Sequence, residues 1–524
     1  MGRMSNNNID FNEQFQRALR LMSETDSNIF ITGKAGTGKS TLLEYFTETT
    51  KKKAVVLAPT GVAALNVGGQ TIHSFFRFKP DITIDSIQKY YGQMSKLCKA
   101  VDMIIIDEIS MVRADLLDCI DKCLRLNGKN PEKPFGGVQM VFFGDLYQLA
   151  PVVRSGEKAI FKDIYKTPYF FDASSFKDID IEFVELEKIY RQKDQKFIDI
   201  LNAIRNNSVT EDDLEKINVR FNPDFKPEND EFYILLTPTN SKALKINEMN
   251  LEKIKKPLFT SSGIINGKFD LNQLPTEMEL KLKIGSQVML VNNDLSGRWV
   301  NGSIGTIFNI EKNKNGKDFI IVRLNDGKLV NVSKYNWEMF RFAYNPSTRG
   351  IESEIIGSFA QYPIRLAWAV TIHKSQGKTF EKVIVDFDKG TFAHGQAYVA
   401  LSRCTTLNGL VLKKPVEKKH ILMDWRIVKF LTNFQYDLSN KILSINDKVD
   451  LIKKAIKDKK RLEITYLKTN DQKSKRVIIP KRVGLMEYLG KEYLGIEAYC
   501  CLRQDDRVFR VDRVLDLKEA KDEQ

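Results

Sequence analysis

Gly33-Lys-Ala-Gly-Thr-Gly-Lys39-Ser40 decides how the rest of the chain is read. It fits the spacing G-x-x-x-x-G-K-S/T, and its flanks suit a phosphate loop. Asn28–Thr32 (NIFIT) reads as a short apolar strand running into the loop, and Thr41–Phe46 as a helix leaving it. Glycines let the backbone wrap an anion with no Cβ in the way, and the helix N-terminus adds positive potential there. Lys39 is placed to reach the terminal phosphates of a nucleotide. Ser40 offers a hydroxyl to magnesium.

Outward from the loop the pattern repeats. Ala54–Ala58 (AVVLA), Met103–Ile106 (MIII) and Val138–Phe143 (VQMVFF) are near-continuous apolar strands separated by helical stretches. That texture indicates a parallel sheet covered by helices on both faces. Asp107 and Glu108 follow MIII directly. Two acids at the end of a buried strand have no packing reason to be there, so Asp107 is assigned to magnesium and Glu108 to the attacking water. Gln148 stands just beyond Gly144–Asp145, where it can touch both a γ-phosphate and bound substrate. Tyr233–Leu236 (YILL) opens a second α/β unit, and Val383–Val385 (VIV) continues it. Between them, residues 280–357 read as short alternating strands with turns at Asn301–Gly302, Asn315–Gly316 and Asp326–Gly327. From Val449 the texture changes again, with a helix at Leu451–Lys457 and β-like segments at Leu462–Tyr466 and Tyr493–Cys500.

Composition narrows the class. The chain has 524 residues, 42% hydrophobic and 28% charged, with formal net charge +14. That length supports several domains with cores of their own. The positive balance favours a polyanionic partner. Six cysteines exclude a disulfide scaffold, and four scattered histidines share no zinc-ligand spacing with a cysteine pair. No long apolar run or signal-peptide pattern is present, so a cytoplasmic, non-membrane protein is expected. Residues 1–10 are polar and expected to be disordered.

Three longer motifs specify the kind of nucleotide enzyme. They are Ala58-Pro-Thr-Gly-Val-Ala-Ala64, Gly68-Gly-Gln-Thr-Ile-His-Ser-Phe-Phe76 and Ala367-Trp-Ala-Val-Thr-Ile-His-Lys-Ser-Gln-Gly377. With the phosphate loop and the paired acids, they make residues 9–425 resemble the Pif family of DNA helicases (superfamily 1B), relatives of the RecD helicases. The resemblance implies two RecA-like domains with ATP in the cleft between them, single-stranded DNA across their top, and 5′→3′ translocation that unwinds duplexes and structures such as forks, R-loops or G-quadruplexes. It implies ATP and Mg2+ as cofactors and a monomer on single strands and junctions. Gly36, Thr37, Gly38, Lys39, Ser40, Thr41 and Gly377 then belong to the nucleotide site, and Gln16, with Gln14 as the alternative, reads adenine. Leu186-Glu-Lys-Ile-Tyr-Arg-Gln192 makes Arg191 one arginine finger, and Gln396-Ala-Tyr-Val-Ala-Leu-Ser-Arg403 makes Arg403 the other. Thr60, His73, Phe75, Thr371, His373 and Lys374 resemble the strand-binding residues, with core packing as the competing role for Phe75.

The appended pieces resemble known modules too. Residues 280–357 resemble the family's SH3-like 2B insertion, and a small 1B wedge is expected near 77–95. The first RecA-like domain is expected over 11–205, the second over 206–279 and 358–430, and a linker over 431–448. The tail, 449–524, resembles a WYL domain, whose fold is an Sm- or SH3-like β-barrel, with Glu492 where the name motif has tryptophan. From Lys441 onward it carries 21 basic and 15 acidic residues, so Arg476, Arg503, Arg507 and Arg510 are candidates for a phosphate-bearing ligand. A motor whose tail modulates DNA binding is the leading reading. A DNA-binding regulator that uses its ATPase as a switch is the alternative, and the order of the motifs favours the motor.

Overall fold

The computed structural model describes residues 10–153, 164–228, 231–269, 271, 274–294, 296–312, 318–348, 350–388, 390–391 and 393–520. The expected disorder at 1–9 and the turn at Asn315–Gly316 lie outside them. Two compact units are present, residues 10–204 with 209–422, and residues 423–520 with 205–208.

The first unit begins with a six-stranded sheet: β1 (Asn28–Gly33), β2 (Ala54–Ala58), β3 (Gln70–Thr71), β4 (Met103–Ile106), β5 (Gln139–Phe143) and β6 (Ile181–Leu186). Their order is β3-β2-β4-β5-β1-β6, and every pairing is parallel. β4 and β5 are buried along their whole length, which is why they read as unbroken apolar runs. Helix Glu13–Glu24 starts where the Asn12 side chain accepts from the Phe15 N–H, and it buries Phe15, Ala18 and Met22 on one stripe. Ile31, Leu42, Phe46, Val141 and Phe143 complete that core, each buried side chain worth roughly 1.5–3 kcal/mol. This packing fixes the strand and the helix between which the phosphate loop hangs.

Further along come β7 (Ile234–Thr237), β8 (Phe259–Ser262), β9 (Ile264–Gly267), β10 (Glu279–Leu282), β11 (Gln287–Leu290), β12 (Ile304–Lys312), β13 (Asp318–Leu324), β14 (Leu329–Val332), β15 (Tyr335–Asn345), β16 (Gly350–Gln361), β17 (Ile364–Leu366), β18 (Ala369–Thr371), β19 (Val383–Val385) and β20 (Leu410–Leu412). β18-β7-β19-β20 form a second parallel sheet. Between the neighbours β7 and β18 the described residues make antiparallel sheets only: β14-β13-β12-β11-β17, β15-β16-β9 and β10-β8.

The inserted strands thus run from Phe259 to Leu366, past the expected limits of 280 and 357. β17 returns to pair with β11, and such long-range closure has no local signature. Neither this sheet nor its counterpart in the second unit shows edge-to-edge pairing among the described residues, so the barrel expected for the tail is not closed by strand pairing there. In the region expected to hold the wedge, a short turn of helix at Ile84–Ser86 precedes helix Gly92–Ala100, which packs on β15.

Within the stretch expected as a linker, residues 431–442 and 445–448 are helical, in Trp425–Ile442 and Ile445–Lys457. Ile427, Val428, Leu431, Gln435 and Ser439 form a buried face, and the Ser439 hydroxyl donates to the Leu515 carbonyl at 2.7 Å. Lys448 is fully buried, with Nζ on Ser439 Oγ at 2.8 Å and on Asn440 Oδ1 at 2.9 Å. These helices accompany an antiparallel sheet of β21 (Leu462–Leu467), β22 (Lys473–Tyr488), β23 (Lys491–Cys500), β24 (Asp505–Arg510) and β25 (Val514–Glu519), in the order β24-β23-β22-β21-β25. Among the described residues no helix is long and apolar enough to cross a membrane.

Candidate nucleotide and strand-binding site

The phosphate loop joins β1 to helix Lys39–Thr49. Gly36 and Gly38 hold φ of 82° and 86°, a region that favours glycine, and a Cβ at Gly36 would lie 2.4 Å from the Arg191 Cβ. Arg191 therefore rests against the loop, and the Tyr190 N–H donates to the Gly36 carbonyl at 2.8 Å. Lys39 Nζ sits on the Gly33 and Lys34 carbonyls at 2.6 and 3.1 Å. Ser40 is exposed in the first helical turn, Thr41 half-buried beside it, and Thr37 buried with its hydroxyl on the Lys34 carbonyl at 2.9 Å.

Asp107 and Glu108 end β4, both half-buried, and burial pushes both carboxyl groups up while Lys39 pulls them down. Glu108 adopts φ 50° and accepts from Gln376 Nε2 at 2.9 Å. Two neighbouring carboxylates and a serine hydroxyl are hard oxygen donors, a set whose chemistry suits a magnesium ion. Gln148 is buried and donates to Asp145 Oδ2 at 3.2 Å.

The second sheet supplies the opposite wall. Tyr398, in helix Gln396–Leu401, accepts at its hydroxyl from the Ala35 N–H at 3.0 Å. Arg403 is 1% exposed and donates to the Val399 carbonyl (2.8 Å), the Lys378 carbonyl (3.1 Å) and Ser402 Oγ (2.9 Å), all neutral acceptors. Burial and neighbouring Arg191 disfavour its charge, with Tyr398, Glu108 and Asp145 opposing. A buried guanidinium held by neutral groups beside a second arginine is an environment that an incoming anion improves. Arg191 likewise donates to the Ser402 carbonyl at 3.3 Å, and burial lowers its pKa.

Gly395 lets the two walls meet. Its φ is 76°, and a Cβ there would lie 2.4 Å from the Gln148 carbonyl oxygen and 2.5 Å from that of Tyr147. Gly395→Ala is expected to destabilise the protein by about 1–3 kcal/mol and to lower turnover, because the backbone strain adds to a displaced helix. Chemical denaturation checks this, and unchanged stability would contradict the packing.

Other expected residues are dispersed. Gln16 is exposed and its Nε2 donates to the Phe11 carbonyl at 2.7 Å, while Gln14 is half-buried. Gly377 turns at φ 77°. Thr60 is exposed and caps helix Gly61–Asn66. Thr371 is 3% exposed and accepts from the Lys374 N–H at 3.3 Å, leaving His373 and Lys374 at the surface. His73 is half-buried, and burial lowers its pKa.

Phe75, for which stacking on bases and core packing were both open, packs in the core. It is 3% exposed, with its ring against Phe76 (4.8 Å between centroids) and Phe342 (6.2 Å), so it presents no face to a base here. In the second unit, Arg510 is taken up by a bidentate pair with Asp512 and lies over the Tyr493 ring. Arg503 and Arg507 are exposed, and Arg476 Nη1 is buried with no hydrogen-bond partner. Register puts Arg476 opposite Ile464 and Arg507 opposite Ala498, two strands apart, so the four arginines do not form one cluster.

Sequence reasoning assigned no role to Tyr398, Gln376 or Tyr190, although all three stand inside the quoted motifs. Their signal was position alone, since their partners come from the other sheet or from the phosphate loop.

Comparison with known proteins agrees with this geometry. Residues 10–215 match the model of the PIF1-like helicases, and residues 447–519 that of the WYL domain. The ATP-dependent DNA helicase Pif1 of Bdellovibrio bacteriovorus is 33% identical over 445 residues, 83% of this chain and 94% of its own. The chain belongs to the Pif1-like helicases. As a member of that family it is an ATP-dependent DNA helicase, extended by a WYL domain. Among solved structures, Bacteroides sp Pif1 in complex with ADP-AlF4 is 37% identical with a TM-score of 0.75, covering 82% of this chain and 98% of that one. Bacteroides Pif1 bound to ssDNA covers the same shares at 38% identity with a TM-score of 0.60.

Proposed function

We propose that this helicase hydrolyses ATP between its two parallel sheets and uses the cycle to translocate 5′→3′ on single-stranded DNA, displacing duplex or structured DNA as a monomer. The observation that carries the reading is Arg403, a buried cation with neutral acceptors facing the phosphate-loop wall. Hydrolysis concentrates negative charge on the γ-phosphoryl oxygens, and a cation from the second sheet makes turnover depend on closure of the cleft. The loop glycines, Lys39 and Thr41 hold the phosphates, and Gln16 reads the base. Ser40 and Asp107 are assigned to magnesium, which when bound neutralises phosphate charge. Glu108 orients the attacking water, and Gln148 with Arg191 completes the polar wall. Thr60, His73, Thr371, His373 and Lys374 form the strand track; backbone-directed hydroxyls and amines suit a sequence-blind path.

In this scheme the RecA-like halves comprise residues 10–204 and 209–258 with 367–422, and the SH3-like insertion comprises 259–366. The WYL domain, from 423 onward, modulates DNA binding, with Arg476 and Arg507 as its phosphate contacts.

Strand displacement tests both parts. With ATP and magnesium, a partial duplex bearing a 5′ single-stranded tail is expected to be unwound and one with a 3′ tail to persist. Arg507→Glu is expected to weaken strand affinity without changing polarity. Strand-stimulated ATPase with neither duplex displaced would favour the switch over the motor.

A further inference from the structure

Lys378 directly follows the Ala367–Gly377 motif, and no role has yet been given to it. Its backbone and side chain face in different directions. On one side, segment 378–380 holds Arg403 twice: Arg403 Nη1 donates to the Lys378 carbonyl at 3.1 Å, and the Phe380 N–H donates to the Arg403 carbonyl at 2.9 Å. On the other side, Lys378 Nζ donates to Asn301 Oδ1.

Asn301 belongs to the Asn301–Gly302 turn of the insertion, and that turn is itself anchored. The Asn301 N–H donates to Asn293 Oδ1 at 2.8 Å, and the Gly302 N–H to the Leu290 carbonyl at 2.8 Å. Gly302 holds φ 102°, and a Cβ there would lie 3.6 Å from the Lys378 Cβ. The Asn301 side chain then continues outward, Nδ2 donating to Asn66 Oδ1 at 3.1 Å. Asn66 ends the helix that Thr60 caps.

Stability does not explain this lysine. It is half-buried, its nearest polar partner is a neutral amide, and burial with the Arg365 charge pushes its pKa down to about 8. A methionine of similar length would fill the space without that desolvation cost.

We propose that Lys378 is a positioning residue that ties the Arg403 finger to the Asn301–Gly302 turn and, through Asn301, to Asn66 on the strand-facing helix. Engagement of a strand at that helix then sets the finger through a continuous line of hydrogen bonds, and the insertion is the middle link. The inference rests on the assignment of Arg403 above. Coupling between two sites requires a connection whose disruption lowers the response of one to the other, and couplings of this kind span roughly 5–150-fold.

The test is ATP turnover of the full chain stimulated by oligothymidine. Lys378→Met is expected to lower the stimulated kcat about 10-fold at unchanged KM for ATP, with an unchanged or higher thermal midpoint. Lys378→Arg restores most of the stimulation. Asn301→Ala produces the same loss, and the double variant loses no more than either single one. Full stimulation in Lys378→Met, additive losses in the double variant, or a loss that tracks a lowered thermal midpoint would each overturn the proposal. Arg403→Ala is the control that separates the two readings. If it loses turnover while Lys378→Met does not, the finger stands and the relay falls; if it turns over normally, the finger assignment itself falls.

Discussion

Lys39→Ala is expected to abolish ATP turnover, lowering it by on the order of 10³, while single-strand binding persists. Lys39 Nζ donates to two carbonyls of its own loop, Gly33 and Lys34. Its charge also opposes the proton affinity that burial confers on Asp107 and Glu108. Alanine removes the contact to the terminal phosphates and, with it, a charge that opposes the upward push of burial on those carboxyl groups. The proposed strand track lies on other segments, so affinity for labelled oligothymidine is the internal control. Steady-state phosphate release near the level of the unaltered protein would remove the loop from the catalytic scheme.

The second large effect is at Arg403. Arg403→Ala is expected to lower turnover by about 10³ or more, on the scale of an arginine finger. The present geometry adds a reason. The side chain is 1% exposed and already desolvated, so its charge acts on a phosphate with little screening. Its hydrogen bonds to Val399, Lys378 and Ser402 fix the plane of the guanidinium before any nucleotide arrives. Stopped-flow and steady-state ATPase with saturating oligothymidine measure the loss, and a change below about threefold would refute the role. Arg403→Lys is not a conservative rescue, because an ammonium cannot reproduce three directed contacts and still present a planar fork.

Much of the site was legible before any coordinates. Gly36 and Gly38 lie in one loop and Lys39 and Ser40 open the helix that follows it, and local rules govern a turn between a strand and a helix. Asp107 and Glu108 were legible because an acid after four buried aliphatic residues has no packing explanation. The fourth and sixth motifs were legible only through resemblance, since a single arginine in a basic chain carries no signal of its own. Phe75 shows where local reading stops. The adjacent Phe75 and Phe76 could face a groove or a core, and Phe342, about 270 residues away, completes the ring packing that decides for the core. The helical character of the stretch expected as a linker, 431–448, was hidden for a related reason. Its buried face includes Gln435, Ser439 and Lys448, polar residues that mask a helical stripe until their partners are known.

By itself the sequence determined the phosphate loop, the two parallel sheets, the presence of an inserted β-region and a separate tail, and the family. Each is written in short-range patterns: glycine spacing, apolar runs, and motifs of seven to eleven residues. Only the tertiary structure decided that Tyr398 reaches the Ala35 amide, that Gly395 admits the Gln148 backbone, that β17 returns to β11, and that Lys378 joins Arg403 to Asn301. Those contacts link residues far apart in the chain. Their energy comes from burial and hydrogen bonds that exist only once both partners are in place, so no local stretch of sequence records them.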